Sequence, residues 1–186
     1  MKWNDHSKIV GSHAFLGAST HAWLNDDPVK LKNRYLRWQA KERGTRLHDL
    51  AAKLIKEGIE LPQTTKTLDQ YVNDAIGFRM QPEQPLYYSD NCYGTADAIV
   101  YDEKLKFLRI HDLKTGEVPA KMEQLYIYDA LFCLEYKYKP GDIKFENRIY
   151  QNNEILIATP EADIILPIMD KIQTFSKIID KINEEM

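Results

Sequence analysis

Apolar positions recur along this chain at two different periods, and the change from one to the other organises it. Over 29–56, Leu31, Tyr35, Trp38, Leu47, Leu50, Leu54 and Ile55 follow at mainly helical spacing, which lays them along one stripe of a helix. Gly44 is a candidate break in that stretch, and Gly58 is a natural stop because glycine accepts the left-handed conformation in which helices end. Upstream, 12–24 reads as a first helix that ends before Asn25-Asp26-Asp27-Pro28, where Asp27 precedes a proline and so resists helical geometry. After Leu61-Pro62-Gln63 a shorter helix is predicted over 68–78, before Pro82 and Pro85 interrupt.

The character then changes. Segments 93–101 (YGTADAIVY) and 105–113 (LKFLRIHDL) are rich in β-formers and flank the turn-prone Asp102-Glu103-Lys104, which predicts a β-hairpin. Pro119 suits the first turn of the next helix, which carries Met122, Leu125, Tyr126, Leu131, Phe132 and Leu134 and breaks near Pro140-Gly141. Strands follow over 143–150 and 154–158. A closing helix over 160–186 spaces Ile164, Ile168, Ile172, Phe175, Ile179 and Ile182 by three or four residues, a stripe that is either core or a partner interface. The order of three helices, two strands, a helix, two strands and a helix describes one α/β (α+β) domain over 1–186, without repeats or linkers.

Composition narrows the classes. With 186 residues and 44% hydrophobic content the chain can bury one core. No apolar run approaches the roughly 20 residues that span a bilayer, and the opening MKWNDHSKIV lacks the apolar core of a signal peptide, so a cytoplasmic location without membrane association is expected. Cys92 and Cys133, with no CxxC pair, exclude a disulfide framework and a four-cysteine metal or iron-sulfur site. Any metal must use oxygen or imidazole ligands. The net charge of -3 argues against coating nucleic acid through overall electrostatics. Locally the balance reverses, because Lys30, Lys32, Arg34, Arg37, Lys41, Arg43 and Arg46 stand against the single acid Glu42. With Tyr35 and Trp38 among them, these residues suit phosphate neutralisation and base stacking; the plainer alternative is a solvated helix face with the aromatics turned inward.

The densest chemistry lies in the predicted hairpin. Asp97 falls in its first strand, Asp112 ends the second, and Lys114 follows on the same strand face, so pairing can bring all three together. Two adjacent carboxylates repel, and a hard divalent cation such as Mg²⁺ neutralises them. A neighbouring lysine can hold the attacking water or offset phosphate charge. Without further context the same residues are also a hairpin with solvated strand-end charges before a Thr115-Gly116 turn. His111 alternates to the opposite face from Asp112 and reads as structural.

The ordered set Gly94 to Asp97, Asp112-Leu113-Lys114-Thr115-Gly116, and Gln124 with Tyr128 resembles the RecB-like branch of the PD-(D/E)XK nucleases, which shows Gly-x-x-Asp, Asp-x-Lys-Thr-Gly and Gln-x-x-x-Tyr in this order. His48 in GTRLHDLAAKLI resembles that branch's upstream helical metal ligand, so the likeness spans about 48–128. Ala96 stands where the superfamily name has proline, as is usual in the branch, and its iron-sulfur members are excluded by the cysteine count.

The resemblance implies a restriction-endonuclease-like core with a mixed central sheet flanked by helices. It also implies hydrolysis of DNA phosphodiester bonds with one or two Mg²⁺ or Mn²⁺ ions held by His48, Asp97, Asp112 and the Leu113 carbonyl. Lys114 would position water or stabilise developing charge, and Gln124 and Tyr128 would brace the site or touch the DNA backbone. The segment Lys30, Lys32, Arg34, Arg37, Trp38, Lys41, Arg43 and Arg46 would grip phosphates, on the helix that also carries His48. Compact size favours, by analogy, a stand-alone exonuclease of recombination, repair or phage DNA processing, with homo-oligomerisation and a single-strand-annealing or recombination protein as expected partners. A structure- or sequence-specific endonuclease, which would cut closed circles, and a non-catalytic DNA-binding module, which would bind without cutting, are the alternatives.

Overall fold

The computed structural model describes residues 5–9 and 11–185. The ends of two sequence expectations, the opening decapeptide and the closing helix, extend to residues 1–4, 10 and 186, which lie outside the described residues. The chain forms two compact units, residues 1–45 and 46–186.

In the first unit the helix expected over 12–24 is replaced by a 3-10 segment, Ala18–Asn25, kinked at Thr20 and with no buried residue. A short run that buries none of its side chains, Trp23 and Leu24 included, gains little packing energy to hold an α-helix. Asp27 then caps the helix α1, Pro28–Glu57, by accepting the Val29 and Lys30 amides at 2.9 Å, and Pro28 takes the first helical position. Helix α1 continues through Gly44 without a break. It stops where expected: Gly58, at φ 66°, donates to the Ile55 carbonyl at 3.1 Å and Ile59 donates to Leu54 at 2.9 Å, the paired bonds of a Schellman ending.

The second unit is mixed α/β. After α2, Thr67–Gly77, come β1, Gln81–Ser89; β2, Cys92–Asp102; β3, Phe107–Leu113; α3, Glu123–Tyr136; β4, Lys144–Gln151; β5, Glu154–Ala158; and α4, Ala162–Glu185. The five strands form one sheet in sequence order, antiparallel except for the parallel pair β3 and β4, which α3 connects. Pro82 and Pro85, expected to interrupt regular structure, instead lie within β1. That strand is at the sheet edge, where proline's missing N–H can face outward. The expected hairpin is β2 with β3, pairing Ala98 with His111 through Asp102 with Phe107.

Two apolar clusters cover the sheet. Leu108, Ile110, Phe145 and Ile149 pack with Leu125, Leu131 and Phe132 of α3 and Ile165 and Ile172 of α4. Ala98, Leu113 and Tyr150 pack with Ala51 and Ile55 of α1 and Tyr71, Val72 and Ala75 of α2. Helix α3 starts later than Pro119, because the side chain of Gln151 accepts the Ala120 amide and donates to the Gly116 and Val118 carbonyls, holding that stretch as a loop. On α4 the buried face is Ile165, Ile172 and Ser176, with Ile168 and Met169 half-covered; Ile164, Phe175, Ile179 and Ile182 of the expected stripe remain exposed. Among the described residues no helix is long and apolar enough to cross a membrane.

Candidate metal centre at the end of the central strands

The carboxyl end of β3 is where the chain leaves the sheet towards α3. Asp112 sits there, almost completely buried, with both carboxylate oxygens close to the Lys114 ammonium, at 3.0 and 2.9 Å. Burial first, and the nearby Asp97 charge second, push the Asp112 carboxyl above its ordinary range, and Lys114 opposes that rise. Lys114 also donates to Gln124 Oε1 at 2.8 Å.

Helix α3 extends this chain of contacts. Gln124 Nε2 donates to the Tyr128 hydroxyl at 3.2 Å, and that hydroxyl donates to the Thr95 carbonyl on β2 at 2.7 Å. Their spacing of one helical turn on one face makes the link possible. Gly94 completes it, since a Cβ there would lie 2.9 Å from Tyr128 Cε1. The three sequence segments singled out in the hairpin and on α3 therefore meet in one network.

Asp97 is fixed from the β3 side, accepting the Leu113 amide at 2.8 Å. From α1, His48 Nδ1 approaches Asp97 Oδ2 at 3.3 Å, and this contact is the main reason the imidazole is held above its ordinary pKa. The structure adds one group that sequence reasoning missed. Glu83 on β1 lies between Pro82 and Gln84, whose partners on β2 are Ala98 and Ala96, so its place in the ladder faces Asp97. His48, Glu83 and Asp97 offer ligand atoms all within 4.8 Å of one another. Burial, then the Asp97 charge, raises the Glu83 carboxyl. The prolines hid this strand, and with it the only signal for Glu83, its place in a ladder opposite Asp97.

Imidazole with carboxylates suits a divalent metal that takes nitrogen and oxygen ligands. Of the sequence-expected ligands, His48 and Asp97 share a group with Glu83, Asp112 is paired with Lys114, and Leu113 meets Asp97 through its amide. His111 is fully buried on the other side, 3.2 Å from the Tyr150 hydroxyl and edge-on to Phe78, and burial with Arg148 and Arg109 holds its imidazole well below the ordinary value.

The basic segment divides into engaged and open residues. Arg34 donates twice to Asp26, at 2.6 and 2.8 Å, and Trp38 stacks on Tyr35 at 5.7 Å with Phe15 against both. Lys30 lies 3.9 Å from Asp27. Lys32, Arg37, Lys41, Arg43 and Arg46 are exposed. Comparison of the chain with protein-family models, curated proteins and solved structures finds no match.

Proposed function

We propose that the protein is a metal-dependent DNA nuclease of the PD-(D/E)XK type, most simply a cytoplasmic exonuclease, with Asp97, Asp112 and Lys114 at its centre. The observation that carries the reading is the single network joining Asp112, Lys114, Gln124, Tyr128 and Thr95, with His48 and Asp97 beside it. A hairpin with merely solvated charges would leave Lys114 and Gln124 free to point into water. Here a buried carboxylate, a cation and an amide are held in fixed relation, which preorganises charge for a reacting phosphate.

The reaction is hydrolysis: a water oxygen attacks phosphorus, the opposite P–O bond breaks, one product keeps the phosphate monoester and the other gains a hydroxyl. A divalent cation bound by the His48 and carboxylate side chains would activate that water and neutralise charge on the phosphate. Lys114 supplies a positive charge where negative charge develops, and Asp112 on one side and Gln124 on the other fix its ammonium. Tyr128 anchors Gln124 to the backbone of β2. DNA is the substrate, and the open cations of α1 are suited to its phosphates.

The test is cleavage of end-labelled linear and closed circular DNA with Mg²⁺, Mn²⁺ or EDTA, using wild type, Asp112→Ala and Lys114→Ala. Metal-dependent loss of linear DNA alone, lowered at least about a hundredfold by each substitution, is expected of an exonuclease. Cutting of circles would replace that with an endonuclease. DNA binding without cleavage under every condition would leave a binding module.

A further inference from the structure

The charges around Asp97 do not balance. Asp112 has its cation in Lys114, 2.9 Å away. Asp97 accepts the Leu113 amide and has His48, at 3.3 Å, as its only ion-pair contact among the described residues, and the Glu83 side chain makes no ion pair and no hydrogen bond among them. Glu83 nevertheless faces Asp97 across the β1–β2 ladder with a ligand atom within 4.8 Å of those of both Asp97 and His48. It does so from a left-handed backbone conformation, φ 49°, which is unusual for a side-chain-bearing residue in a strand and which sets it between Pro82 and Pro85 on a sheet edge. Two carboxylates and an imidazole on three different elements, with two negative charges and a neutral ring nitrogen to offer, match what a divalent cation takes.

Building on the nuclease reading, we propose that Glu83 is a further metal ligand, which together with His48 and Asp97 holds a divalent cation on the β1 side of Asp97. Asp112 keeps its place beside Asp97, paired with Lys114. The arrangement makes the edge strand β1 part of the centre, so that the metal ties α1, β1 and β2 together.

The test is calorimetric titration of the full chain with Mn²⁺ alone, comparing wild type with Glu83→Gln, Glu83→Gly and Asp49→Asn. Glu83→Gln keeps shape and removes the charge. Glu83→Gly removes the ligand while relieving the left-handed backbone, so it folds at least as well as wild type. Asp49→Asn removes an equal charge from an exposed neighbour on α1 that is no ligand. Both Glu83 variants are expected to weaken Mn²⁺ binding at least about tenfold, and Asp49→Asn less than about threefold, with melting temperatures in EDTA not lowered. Glu83 variants that bind Mn²⁺ like wild type, alongside a wild type that cleaves DNA, overturn this assignment and leave the nuclease intact. Glu83-dependent Mn²⁺ binding in a protein that cuts no DNA upholds the metal site and removes the nuclease reading. A wild type that binds no Mn²⁺ overturns both.

Discussion

Asp129 shows how far burial alone can move a residue in this fold. It is fully buried on α3, its one resolved partner is the Asn147 side-chain amide at 2.6 Å, and burial lifts its carboxyl to about 8. A folded value above the unfolded one means that the protonated acid is the form the fold favours. Its contribution to stability is therefore complete below the unfolded value near 4, declines as pH rises, and is lost above about 8. Between pH 6 and pH 8 the wild type should lose about 2 kcal/mol relative to Asp129→Asn, which keeps the acceptor for Asn147 and cannot ionise. Denaturant melts of the two proteins across that range check it; parallel curves would mean that Asp129 ionises normally. His111, by contrast, is buried neutral between Phe78 and Tyr150, as strand alternation had suggested from its place beside Asp112.

At the scale of elements, β2 and α3 lock together through Gly94 and Tyr128. A methyl group at Gly94 would come within 2.9 Å of a ring whose hydroxyl is tied to Thr95 and Gln124. The ring cannot move without loosening the support of Lys114. Gly94→Ala is expected to cost roughly 1–3 kcal/mol and to reduce DNA cleavage, while Gly94→Ala combined with Tyr128→Ala costs less than the two single changes added, because the clash is gone. A strictly additive double-mutant cycle would remove this account. The same elements show why some of the site was legible and some was not. Asp97, Asp112 and Lys114 fall on segments whose β-formers and turn mark a hairpin, so strand alternation and pairing could bring them together, whereas Gly94, Gln124 and Tyr128 join them through the resemblance to the nuclease motifs. Strand β1 could not be read, because Pro82 and Pro85 carry the local signal of a breaker and only their position at a sheet edge makes them acceptable. Periodicity on α4 likewise marked an apolar helix but not its inward face: Ile165 and Ile172 are buried, while Phe175 and Ile179, from the predicted stripe, are exposed.

For the whole molecule the question is how a chain of net charge -3 would hold DNA. Overall repulsion opposes it, and attraction must come from a local field. Seven basic residues fall within 30–46, yet they are not equivalent. Arg34 is already satisfied by Asp26, so its charge serves the first unit, whereas Lys32, Arg37, Lys41 and Arg43 are open to solvent. Each phosphate contact releases condensed counterions and adds about 0.7–0.9 to the slope of log affinity against log salt. Replacing Lys32, Arg37, Lys41 and Arg43 with glutamine should therefore weaken DNA binding in EDTA and flatten that slope by up to about 3.6, without altering Mn²⁺ binding at the centre. Arg34→Gln should leave the slope nearly unchanged and instead lower stability, because Asp26 loses both of its bonds. Equal slopes for wild type and the fourfold variant would show that the open cations of α1 are a solvated face and that DNA is held elsewhere.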